Sequence, residues 1–210
     1  VVEQEFGSID QDAVEQTFKK QGDALSACHD DGRTRVPYLA GDVKLFLRID
    51  RKGRVRYGYF EDSLLGDRAT ESCILAALAK VDWPAPVGGD AEVRHAFGWE
   101  AGAERVPAQY DPQRVSHALD AQPAYRARAL QCMKGVKGQM TLTGYVEAGA
   151  PPKDRKSKAK PTGKGGHFKT LGASASTKEA SEKIDCVVTA LLDLPLPSPG
   201  SSAAKVSFSP

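Results

Sequence analysis

The chain has 210 residues, 29 Lys and Arg against 27 Asp and Glu, a formal net charge of +2 and 40% hydrophobic residues. A near-balanced charge gives no global reason to expect nucleic acid as a partner, and no apolar run approaches the roughly 18 residues of a membrane-spanning helix. The length suits one or two domains, a half of about 100 residues being just large enough for a core of its own.

In chain order, Val14, Phe18, Leu25 and Cys28 fall roughly on one helical face, with Ser8 or Asp10 as the N-cap. From Gly41 to Ile49 the apolar residues alternate: Val43, Leu45, Leu47 and Ile49 share one side, the period of a half-buried strand. A compact turn from Asp50 to Gly53 then leads into Val55, Tyr57 and Tyr59, which predicts a hairpin. Cys73 heads a second helical stripe made by Ile74, Ala77, Leu78 and Val81. Pro84 and Pro86 end it, because proline lacks the helical N–H and biases the residue before it away from the helix. A short strand is predicted from Ala91 to Phe97, followed by a Gly/Ala/Pro-bearing linker from Ala101 to Gln109.

The second half follows the same plan. Asp111 and Pro112 open a helix carrying Val115 and Leu119, which Pro123 interrupts before Cys132. Met140, Leu142 and Val146 alternate after Gly138, and a partner strand is predicted around Phe168 to Ala175, beyond a long insertion. After Cys186, Val187, Ala190, Leu191 and Leu194 stand at offsets +1, +4, +5 and +8, the same offsets as the stripe after Cys73. Pro195 and Pro197 end this helix, and Ala204 to Phe208 reads as a closing strand. Internal similarity of this kind points to a repeat. The predicted fold class is α+β: two tandem αββαβ units, each a three-stranded antiparallel sheet with two helices. The units span residues 1–100 and 110–210, the linker 101–109, and a basic hairpin insertion in the second unit about 149–167.

Four cysteines, Cys28, Cys73, Cys132 and Cys186, contain no CxxC pair, so neither a zinc site nor a thiol redox motif is indicated. Four cysteines allow three pairings. Two helices side by side on one sheet face, each carrying a cysteine, select Cys28–Cys73 and Cys132–Cys186, with four reduced, buried thiols as the alternative. In the chain-entropy model each bond stabilises by about 4 kcal/mol. Structural disulfides imply an oxidising compartment. A chain opening Val1, Val2, Glu3 without Met is expected to be a trimmed, exported product, periplasmic or at the cell surface, with an anchor in any removed segment.

The first half resembles the AgmX/PglI C-terminal domain, a TonB C-terminal-like family of myxobacteria and their relatives. The residues that carry the resemblance are Ala27 to His29, the strand from Gly41 to Leu45, the Ile49 to Val55 hairpin, Asp62 to Leu64, Cys73 with Ile74, and Trp83 to Pro86. The second half keeps the cysteines, Gly138, the helical stripe and Pro195 to Pro197 but lacks the short hairpin. The resemblance implies a TonB/TolA C-terminal-like fold and a non-enzymatic role in the cell envelope, binding other envelope proteins by strand addition at a sheet edge. It carries over no catalytic residue.

Other chemistry is weakly signalled. His29, His95, His117 and His167 show no ligand spacing, so no metal or cofactor is expected, and Asp30 and Asp31 beside His29 read as a solvated helix end. Cys28 beside His29 would suggest a nucleophile pair only if the thiol were free. Neither a G-x-S-x-G elbow nor H-E-x-x-H occurs. Lys160 to His167 fails as a phosphate loop, with Lys158 in place of the first glycine and Gly165 in place of the Ser or Thr. Lys153, Arg155, Lys156, Lys158, Lys160 and Lys164 face only Asp154 in charge. They form either a solvated loop or an electrostatic contact for an anionic surface. Tyr57, Tyr59 and Phe60, near Phe46, are either core or a candidate binding patch. The predicted partner strand would add at Ala91 to Phe97 or Ala204 to Phe208. Alternatives are a structural subunit of an envelope, motility or secretion assembly, and an envelope hydrolase.

Overall fold

The computed structural model describes residues 6–102, 106–149 and 165–210. Within them lie helices α1 (Gln11–Lys20), α2 (Gly22–Arg35) and α3 (Arg68–Ala79), and strands β1 (Gly41–Ile49), β2 (Val55–Ser63) and β3 (Ala91–Trp99). There follow β4 (Ala108–Gln109), α4 (Pro112–Ala121), α5 (Pro123–Cys132), β5 (Met140–Ala148), β6 (Gly166–Ala175), α6 (Lys178–Ser181), α7 (Ile184–Leu191) and β7 (Ala204–Phe208). The protein is therefore mixed α+β, with a three-stranded antiparallel sheet in the order β2-β1-β3 and a four-stranded mixed sheet in the order β4-β7-β5-β6.

Local chemistry accounts for the element ends. Asp10 caps α1 by accepting from the Ala13 N–H, and Asp111 and Asp67 do the same for α4 and α3. The single opening helix expected in the first half is in fact two, and the interruption expected at Pro123 in the second is present. Gln21 leaves the regular helix between α1 and Gly22, and glycine is a poor helix residue. Pro123 forces Gln122 to φ −131° and ψ 69°, which parts α4 from α5.

Each sheet packs its inner face under its own helices. Val43, Leu45, Leu47, Ile49 and Phe60 meet Val14, Phe18, Leu25, Ile74 and Leu78 in one core. Met140, Leu142, Val146, Phe168 and Leu171 meet Val115, Leu119, Ile184, Val187 and Leu191 in the other. The disulfides Cys28–Cys73 and Cys132–Cys186 tie α2 to α3 and α5 to α7, the pairs that the repeated pattern selects. Bonds of this type fit an oxidising compartment. Among the described residues no helix is long and apolar enough to cross a membrane.

The two sheets are not independent. The back face of the second sheet, away from its helices, carries Thr143, Tyr145 and Ser174, all buried. It is covered by the first half of the chain. Tyr145 packs with Val36, Tyr38 and Leu39, and its hydroxyl donates to the Ala40 carbonyl at 3.2 Å. Lys205 donates to the same carbonyl at 2.7 Å, Thr143 donates to the Ser63 carbonyl at 3.0 Å, and Tyr38 donates to Glu147 at 3.0 Å. The edge strands β2 and β6 pack against each other along this seam.

Candidate binding edge

Two sheets have four edges, and an edge strand presents unpaired N–H and C=O groups. The β2 and β6 edges meet at the seam. On β7, the Ala108 N–H donates to Ala203 O at 3.1 Å and the Tyr110 N–H to Lys205 O at 2.8 Å. The last two residues of the expected linker are thus strand β4, parallel to β7. Tyr110 holds it in place: it is 2% exposed, and its hydroxyl donates to Pro197 O at 2.7 Å. Of the outward positions of β7, Lys205 is taken and Ser207 lies beyond the stretch paired with β4. The expectation that Ala204 to Phe208 offers a free edge is therefore corrected at Ala204 and Lys205, which the chain itself pairs with β4.

The remaining edge is β3. At its start, the Gly7 N–H donates to Asp90 O at 2.9 Å and Phe6 bridges Asp90 in parallel, so Asp90 points away from β1. Pairing of β3 with β1 runs from Gly41↔Trp99 to Ile49↔Ala91 without a register shift. Strand alternation then aims the N–H and C=O groups of Glu92, Arg94, Ala96 and Gly98 outward. Among the described residues, none pairs with the backbone of that stretch.

The side chains of β3 differ on its two faces. Towards α1 and α2 runs an aromatic row, half-buried, that the sequence reading missed. His95 stacks on Phe18 at 3.9 Å, Phe97 lies 5.8 Å from His95 and 5.5 Å from Trp99, and Trp99 stacks on His29 at 4.7 Å. The only available signal was the alternation His95, Phe97, Trp99 at the end of a strand drawn too short. On the other face Arg94 lies over Phe46 at 4.8 Å and bonds Glu61 at 2.9 Å.

The predicted aromatic patch divides. Tyr57 and Tyr59 stand on the outer face against Phe46, at 5.9 and 5.0 Å, and Arg94 roofs that cluster. Phe60 points the other way and is 1% exposed in the core. The register shift between Arg48 and Ile49 also parts Val55 from Tyr57, which strict alternation would place together. Lys153, Arg155, Lys156, Lys158, Lys160 and Lys164 lie outside the described residues. The histidines near polar groups are engaged locally: His29 Nε2 lies 2.9 Å from Leu39 O, His95 Nδ1 3.1 Å from Glu15, and His167 Nδ1 3.1 Å from Gly149 O.

One ionisable group is buried at the seam. Glu71 on α3 is 0% exposed, accepts from Ser63 Oγ at 2.7 Å and from the Ala173 N–H of β6 at 3.0 Å. Burial pushes its carboxyl up to about 7, against the lowering pull of those donors and of Arg68. Comparison with known families, curated proteins and solved structures finds no match to this chain.

Proposed function

We propose that the protein is a non-enzymatic binding module of the cell envelope that accepts an extended segment of a partner protein along the outer edge of β3. The single observation that carries this reading is the run of outward backbone groups from Glu92 to Gly98 beside a half-buried aromatic row. A strand laid there gains main-chain hydrogen bonds, and its alternate side chains meet His95, Phe97 and Trp99. The partner chemistry that fits is an extended stretch with apolar side chains at every second position. The disulfides support export, and the helix-sheet order of each half supports the reading of two TonB C-terminal-like units in tandem. On this reading the basic run from Lys153 to Lys164 adds attraction to an anionic surface.

The test is capture from native envelope extract. Ala96→Pro removes one outward N–H and leaves the β1 ladder intact, as proline on an edge strand can. Partner affinity is expected to fall at least about tenfold, while Ser207→Pro on β7 leaves it unchanged. Equal affinity of Ala96→Pro and the parent chain would remove β3 as the binding edge.

A further inference from the structure

We infer that Glu71 is a proton-operated fastener of the seam between the two halves, closing it on protonation and loosening it on ionisation. The carboxyl stands at a junction of three elements. It projects from α3, takes the Ser63 hydroxyl at the end of β2, and caps the Ala173 N–H on the edge of β6. The approach is too close for a side chain opposite: a Cβ on Gly172 would lie 2.4 Å from Glu71 Oε1.

One nearby charge favours the ionised form, and burial outweighs it. On its own helix, Arg68 Nη1, buried and without a hydrogen-bond partner among the described residues, forms an ion pair with Glu71 Oε2 at 3.8 Å, longer than a hydrogen bond. The Arg68 Nε instead donates to Asp185 of α7 at 2.6 Å. Asp67, a like charge at the start of α3, is itself bound by Arg35 of α2 at 2.8 Å. The nearest residues of β2 and β6, Ser63, Gly172 and Ala173, bring no charge. Lys205, a half-buried cation of the seam, is turned to Ala40 and Tyr145.

A neutral carboxyl fits the same contacts. Its O–H donates to Ser63 Oγ, which as a hydroxyl also accepts, and its carbonyl oxygen keeps the Ala173 N–H. Ionised, it keeps two donors but loses hydration. Closing the seam therefore takes up a proton. The closed state has its full advantage below the ordinary value of 4.5 and loses it as pH rises through about 7. Loosening frees the β2 and β6 edges, so the number of edges on offer grows towards alkaline pH.

The experiment uses the full, oxidised chain. The Glu71 carboxyl carbon is followed by NMR against pH, together with the protection factor of the Ala173 amide. The expected midpoint is near 7, with protection falling on the order of a hundredfold between pH 5 and pH 8. Glu71→Gln, a mimic of the neutral acid, should remove that dependence. A Glu71 midpoint below pH 5, or the same pH dependence in Glu71→Gln, overturns the proposal. Should the variant fail to fold, the parent titration alone decides.

Discussion

Glycine at position 172 is required by what stands opposite. A Cβ there would meet Glu71 Oε1 at 2.4 Å and the Asp67 backbone nitrogen at 2.9 Å, and the second of these sits at a helix start that cannot yield cheaply. Gly172→Ala is expected to lower stability by about 1–3 kcal/mol, read by urea unfolding of the oxidised chain. An unchanged midpoint would mean that the seam packs more loosely than its geometry implies. Gly53 shows the other kind of glycine. It has φ +75° and closes a hairpin turn, and its role is legible in the adjacent Asp50, Arg51 and Lys52. Gly172 was not legible, because its constraint comes from the other half of the chain. The same holds for Glu71, which on α3 reads as an ordinary acidic residue in a first helical turn.

At the scale of elements, local pattern served best where burial is one-sided. Strands β1 and β7 occupy the ranges expected from their alternation, and the stripes after Cys73 and Cys186 lie in α3 and α7 except for their last members, Val81 and Leu194, which fall beyond the helix ends. Strand β4 left no such mark: both its residues are exposed, and it exists because β7 offers N–H and C=O groups to pair with. The disulfides join helix pairs across sequence separations of 45 and 54 residues. Replacing either pair by alanine is expected to cost about 2–5 kcal/mol, measured by urea unfolding. Loss of under about 0.5 kcal/mol from one pair would show that its helices are held by packing alone.

At the scale of the molecule, the polar face of the second sheet misled by its composition. Thr143, Tyr145 and Ser174 alternate with apolar residues as a solvated face would, yet all three are nearly inaccessible. Thr143 bonds Ser63 and Ser207, and Tyr145 bonds Ala40, all within the chain. A pattern of polar residues states that partners are needed and does not say whether water or protein supplies them. Closing that face brings β2 against β6, and among the described residues no strand pairs with the outer edge of β3.

Amide hydrogen exchange along β3 reads this arrangement directly. In the free chain the amides of Glu92, Arg94, Ala96 and Gly98 are expected to exchange fast, while those of Val93, His95 and Phe97, bonded to β1, exchange slowly. Binding of the captured partner should slow the first set and leave the second as it was. Protection of the outward amides before any partner is added, or no change on binding, would contradict the account.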